Sequence, residues 1–327
     1  MDSNIPSIIN TGDLFNDQEV IVEHNFIGSI INSIIDRAYS LSERKTEHPC
    51  FGREYDFNYN ALVISGGAML GFGGLGVIDY CEDQGYLKNI KKYYGTSVGS
   101  MICYLLILGH KPIDIFAQLY SNKILEKVIK NNIYDFAKGD GMLNWLIIEN
   151  FLLKMSDNER FTFQEFYQKF NVGFNIVTYN LSQGRLEILN HLNTPDLDCL
   201  IGIRMSSNIP VIFPKFLYKN DIYVDGGIVN NFPIDLLEED DIGIGIDLCG
   251  CNSLKSEHKS YEFIWNIVTA PMKIIRGKII DKSLEKKNCD IITCKSNFGA
   301  LSFSINITER LNMYSTGRKN GEDFFKQ

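Results

Sequence analysis

The sequence predicts an α/β fold in which a mainly parallel central sheet is covered by helices on both faces. Three observations carry this reading. Short continuous apolar runs such as ALVI, FNIVTY and IGIGIDL have the character of buried strands. Helical stretches alternate with them, and glycine-rich turns punctuate the strand-to-helix junctions. A chain of 327 residues with 45% hydrophobic content can bury one large core, and no repeat or long Pro, Gly or Ser linker divides it.

Residues 1–57 read as a separate helical extension: a polar start, an apolar-periodic helix near Phe26 to Leu41, then the charged turn ERKTEH. The main domain is assigned to 58–327, with its motifs inside about 61–250. Ala61 to Ile64 is the first buried strand. A glycine-rich loop then leads into a helix that stops at Gly85, and a strand around Tyr93 and Tyr94 runs into GTSVGS. Met101 to Leu108 is far short of the ~20 residues that span a bilayer and reads as a buried helix closed by Gly109. Pro112 starts another helix.

From Ser121 to Lys169 the pattern is helical but irregular. Strands follow at Phe174–Tyr179 and Arg185–Leu189, a helix around Asp198–Ser206, and strands at Ile222–Val224 and Ile242–Leu248. Phe263–Ile280 is expected to be helical, Asp290–Thr293 the last strand and Ile307–Phe325 the last helix. The apolar, basic-flanked stretch Ile264–Lys278 reads as core packing, with a helix lying on a lipid surface as the alternative.

Thirty-two basic against 40 acidic residues, a formal charge of -8, argue against a nucleic-acid binder that works by broad phosphate neutralisation. No basic n-region followed by an apolar run marks a secretory signal, so a cytoplasmic protein, at most peripheral on membranes, is expected. Eight scattered cysteines suit a reducing compartment. Cys249, Cys251, Cys289, Cys294 and His258 can be drawn as a zinc cluster, but their spacings match no common pattern, and no metal or cofactor is expected.

The sharpest local feature is Gly95-Thr96-Ser97-Val98-Gly99, placed where a strand turns into an apolar helix. Glycines two before and two after a serine remove the β-carbons that would clash in a tight turn, exposing the hydroxyl beside a helix N-terminus. An ordinary Gly-Ser turn is the competing reading. The second feature, Ser65-Gly66-Gly67-Ala68-Met69-Leu70-Gly71, follows the first strand and can aim successive backbone N–H groups at one point. Gly71-Phe72-Gly73-Gly74-Leu75-Gly76 formally fits a dinucleotide fingerprint, but it begins too late after the strand. Lys91 and Lys92 also stand where an acidic residue is needed. The third feature, Asp225-Gly226-Gly227 with Asn230 and Asn231 behind it, is either a plain turn or a catalytic acid. A nucleophilic serine needs a base, and none of His24, His48, His110, His191 and His258 sits in a recognisable base motif.

Together these residues resemble the patatin-like phospholipases, especially the bacterial-type branch, from about Ala61 to the C-terminus. The resemblance lies in SGGAMLGFGGLGV, KYYGTSVGSM, VTYNLSQGRLEIL, RMSSNIPVIFPKF and YVDGGIVNNFPID, in that order. It implies a three-layer fold and a dyad of Ser97 and Asp225 without histidine. It also implies an oxyanion hole from Gly66, Gly67 and Ala68, and motif glycines at Gly71, Gly95, Gly99, Gly226 and Gly227. The implied substrate is a phospholipid, lysophospholipid or neutral acylglycerol, met in transient contact with a membrane surface.

Two positions depart from the family's loop. Ala68 stands at its third glycine, a costly choice if that residue has positive φ, and Leu70 stands where Lys or Arg is usual. An unperturbed aspartate, with a pKa of ~3.9, is a poor match for a hydroxyl proton, so Asp225 is expected to be buried. Two alternatives stay open: a weakly active or inactive lipid-binding homologue, and a Ser-His-acid esterase using His258.

Overall fold

The computed structural model describes residues 58–121, 124–128, 143–210, 212–250, 260–286, 288–303 and 305–326. The expected helical extension at 1–57 lies outside them, as does His258. One mixed sheet organises the rest. Its strands are β1 (Ala61–Ile64), β2 (Lys92–Thr96), β3 (Gly173–Asn180), β4 (Arg185–Leu189), β5 (Phe216–Tyr218), β6 (Asp221–Asp225), β7 (Gly243–Gly250) and β8 (Cys289–Ser296). The order is β5-β6-β3-β2-β1-β7-β8, with β4 also on β3. Strands β3, β2, β1, β7 and β8 run parallel, and β4, β6 and β5 join antiparallel.

The period-2 alternation of a strand explains why the sheet is covered on both sides. Leu62 and Ile64 of β1 face the larger core with Leu75 and Ile78 of α1 (Gly71–Asp83), Ile102 and Cys103 of α2 (Val98–Ile107), and Met313. Ala61 and Val63 face the other way, onto Phe232, Ile234 and Leu237, with Ile279 and Ile280 packed behind. The helix expected at Pro112 is α3 (Pro112–Ser121), and in the described part of the irregular stretch lie α4 (Ile124–Val128), α5 (Trp145–Met155) and α6 (Phe163–Phe170). Then come α7 (Cys199–Ser206), the short α8 (Gly227–Asn230), α9 (Ser260–Lys286) and α10 (Ile307–Phe325).

The glycine run that mimics a dinucleotide fingerprint lies inside buried α1. A β-carbon on Gly76 would fall 1.9 Å from the Tyr314 carbonyl oxygen, and one on Gly317 would fall 1.9 Å from that of Gly73. These glycines therefore let α1 and α10 approach backbone to backbone. The β7–β8 register sets Cys289 opposite Gly243 and Lys295 opposite Cys249. Six residues of strand, about 20 Å, therefore separate Cys289 from Cys249. Residues Ile274 and Ile275 of α9 are 63% and 39% exposed, so this part of the helix is not the core packing expected of it. No single described helix is long and apolar enough to cross a membrane.

Candidate active site

Strand β3 brings the chemistry together. Strand β4 occupies one edge of β3 over 176–180, so β2 and β6 must share the opposite edge, β2 along its first part and β6 along its end. Thr96, the last residue of β2, pairs with Val177, and Asp225, the last of β6, pairs with Thr178. The two strands thus meet end to end, and Ser97 and Asp225, 128 positions apart in sequence, become neighbours.

Ser97 has φ 54 and ψ −123 and forms the N-cap of α2. Such a conformation is strained for an L-residue and persists only where the surroundings enforce it. A β-carbon on Gly95 would lie 2.6 Å from the Ser100 amide nitrogen, and one on Gly99 would lie 2.2 Å from the Ile64 carbonyl oxygen. The elbow can therefore close only with glycine at both positions. The Ser100 hydroxyl donates to the Ser97 carbonyl at 2.6 Å, and the Thr96 hydroxyl donates to the Asn230 carbonyl at 3.0 Å.

Asp225 is 5% exposed. Burial pushes its carboxyl up from the ordinary range to about 6, opposed by hydrogen bonds from the Ser97 hydroxyl and the Gly227 amide. The Gly227 N–H donates to Oδ1 at 2.7 Å. Among the described residues no charged side chain and no histidine contributes at this carboxylate. His110 Nε2 lies 2.7 Å from the Met155 carbonyl oxygen, and His191 stacks on Tyr167.

The glycine loop lies beside this pair, with Ser65 Oγ accepting the Leu248 N–H at 2.8 Å. Its three expected oxyanion donors divide. The Gly66 N–H is committed to the Asn231 carbonyl at 2.9 Å, and Asn231 Nδ2 donates back to the Gly66 carbonyl at 3.1 Å. Among the described residues, the Gly67 and Ala68 amides have no backbone acceptor. Ala68 has φ +44, the left-handed region where alanine is costly. Leu70, in place of the usual cation, is buried at 4% exposure, and its Cδ1 points toward Gly250.

Sequence reasoning quoted Ser206, Asn208 and Asn231 inside longer segments and gave them no role. The Ser97 N–H donates to Ser206 Oγ at 2.9 Å, the Asp225 N–H to the Asn208 carbonyl at 3.0 Å, and Asn231 latches the glycine loop. Their only sequence signal was position: a polar trio closing an apolar helix, and a second asparagine behind a glycine turn.

Comparisons with known proteins bear on the family and the fold. The sequence pattern of the family described as patatin-like phospholipase matches residues 62–238. The chain is 32% identical over 197 residues to a probable lipid hydrolase, 463L, of Invertebrate iridescent virus 6, covering 57% of this chain and 67% of that protein. It is 26% identical over 272 residues to an uncharacterized protein of Acanthamoeba polyphaga mimivirus, covering 79% and 91%. Among solved structures it is similar to VipD from Legionella pneumophila, with a TM-score of 0.50 at 17% identity, covering 82% of this chain and 66% of VipD. At that identity the likeness speaks for the fold alone. The fold class read from the sequence, its family and the structure converge: this chain belongs to the patatin-like phospholipase family, a family of lipid hydrolases with a mixed, mostly parallel α/β sheet.

Proposed function

We propose that the chain hydrolyses fatty-acyl esters of phospholipids or related acyl lipids through a Ser97–Asp225 dyad and an acyl-enzyme. Asp225 takes the proton from Ser97 as its Oγ bonds to the ester carbonyl carbon. The Gly67 and Ala68 amides face the charge that develops on the carbonyl oxygen. Collapse expels the alcohol, which leaves with the proton held by Asp225. Water then attacks the acyl-enzyme with Asp225 again as base, releasing the fatty acid and restoring Ser97.

The observation that carries this reading is that β3 sets the buried Asp225 carboxylate next to Ser97, itself on a strained turn. Burial makes the aspartate a stronger base while leaving it mostly ionised at neutral pH, the compromise general-base catalysis requires. The exposed apolar pair Ile274 and Ile275, with Lys278 exposed on the same helix, supports brief contact with a lipid surface.

The test is release of fatty acid from phospholipid vesicles, with labelling by a fluorophosphonate probe. Wild type is expected to turn over and to label at Ser97. Ser97→Ala and Asp225→Asn are each expected to lose at least about a thousandfold in kcat, and His258→Ala to retain activity. Activity that survives Asp225→Asn but disappears in His258→Ala would replace the dyad with a histidine-based triad.

A further inference from the structure

The two halves of the dyad stand on different elements, and a third segment joins them. Helix α7 begins at the Asp198 cap, which accepts the Leu200 and Ile201 N–H groups at 2.7 and 3.1 Å. Eight residues on, Ser206 is fully buried. Its hydroxyl donates to the Val177 carbonyl at 2.6 Å and accepts the Ser97 N–H at 2.9 Å. Its carbonyl accepts the Gly226 N–H at 3.2 Å, and the Asn208 carbonyl accepts the Asp225 N–H at 3.0 Å. Asn208 Nδ2 also donates to the Tyr223 carbonyl at 2.8 Å.

A serine hydroxyl has one proton, and here it is spent on β3, which turns a lone pair toward Ser97. The β2–β3 pairing ends at Thr96, so the sheet register no longer aligns Ser97 with β3. Without Ser206 Oγ, the amide of the strained nucleophile would be buried and unpaired. A helical serine normally has the option of bonding back to the preceding turn. This one bonds across to β3 instead.

We infer that Ser206 is a positioning residue: its hydroxyl and carbonyl hold the Ser97 elbow and the Asp225 turn in one register and so set the hydroxyl-to-carboxylate geometry without touching substrate. The inference rests on the Ser97–Asp225 reading and goes beyond it.

The experiment uses the full chain, a soluble p-nitrophenyl ester and the fluorophosphonate probe, with kcat, KM and labelling rate followed against pH. Ser206→Ala is expected to lower kcat and labelling about 10- to 100-fold with KM little changed, the cost of a misplaced reacting pair. Its acidic limb is expected to move to higher pH, because the Ser97 hydrogen bond that holds the Asp225 carboxyl down is weakened. Ser206→Thr, which keeps the hydroxyl, is expected to restore much of the rate. Asp198→Ala, which loosens the same helix at its far end, is expected to lower Tm and leave the limb in place.

If Ser206→Ala does not fold, Ser206→Cys replaces it, its longer and weaker hydrogen bonds being expected to shift the same limb. A limb and kcat equal to wild type, or a fall matching only the loss of folded protein as in Asp198→Ala, overturns the role of Ser206. A wild-type chain that neither turns over nor labels at Ser97 overturns the dyad beneath it.

Discussion

Thr96 and Asp225 pair with consecutive residues of one strand, Val177 and Thr178. A parallel strand arriving from one direction and an antiparallel strand arriving from the other end against each other. Ser97, one residue past Thr96, therefore lies next to the Asp225 carboxylate.

Asp225 is pushed up to about 6 by burial, and only its ionised form can take a proton. For a soluble ester, kcat/KM is expected to rise with pH through about 6 and level off about one unit higher. A flat profile across that range would remove Asp225 as the base.

The same burial has a cost in stability. The folded-state value lies above the ordinary 3.8, so ionising Asp225 disfavours the folded chain. The cost is absent below the unfolded value, develops as pH rises from there through about 6, and is constant above. A shift of this size corresponds to roughly 3 kcal/mol. Asp225→Asn, which keeps an acceptor for Gly227, is expected to be about 1–3 kcal/mol more stable at alkaline pH. Urea unfolding at a series of pH values should show the gap closing toward pH ~4.

Ala68 occupies the left-handed region at φ +44 in the loop beside Ser97. Ala68→Gly is expected to stabilise the protein by about 0.5–1 kcal/mol, against the usual sign for that substitution. A rise in kcat is expected to accompany it, because the Gly67–Ala68 amides no longer depend on a strained alanine. Thermal unfolding and ester turnover measured together check both.

Asn231→Ala removes the Nδ2 bond to the Gly66 carbonyl but leaves the backbone bond from the Gly66 amide. A stability loss of about 1 kcal/mol is expected for one hydrogen bond. A larger proportional loss in kcat is expected than in KM, since the loop amides lose their alignment with the transition state. An unchanged kcat at the same loss of stability would confine Asn231 to a structural role.

Much of the fold was readable because it is written locally. Pro112, Gly109 and the Asp198 cap mark element ends through backbone constraints that need no distant partner. The helix at Ile307–Phe325 and the strand at Phe174–Tyr179 appear nearly as read, because one pattern is long and the other strongly apolar, and the Arg185–Leu189 strand follows as read. Strand β5 was missed. It has three residues, and its hairpin turns at Lys219 and Asn220, both at positive φ, without the Asn-Gly or Asp-Gly pair that advertises such a turn.

By itself the sequence determined the mixed α/β architecture, the family and the glycine-framed Ser97, because each depends on short-range sterics and on the order of motifs along the chain. Only the tertiary structure decided that β3 joins Ser97 to Asp225, that the Gly66 amide is tied to the Asn231 carbonyl, and that Ala68 has positive φ. It alone showed that Ser206 bonds to the amides of both Ser97 and Gly226. The physical reason is that periodicity and turn chemistry report which face a residue buries, whereas strand register decides which distant residue it meets.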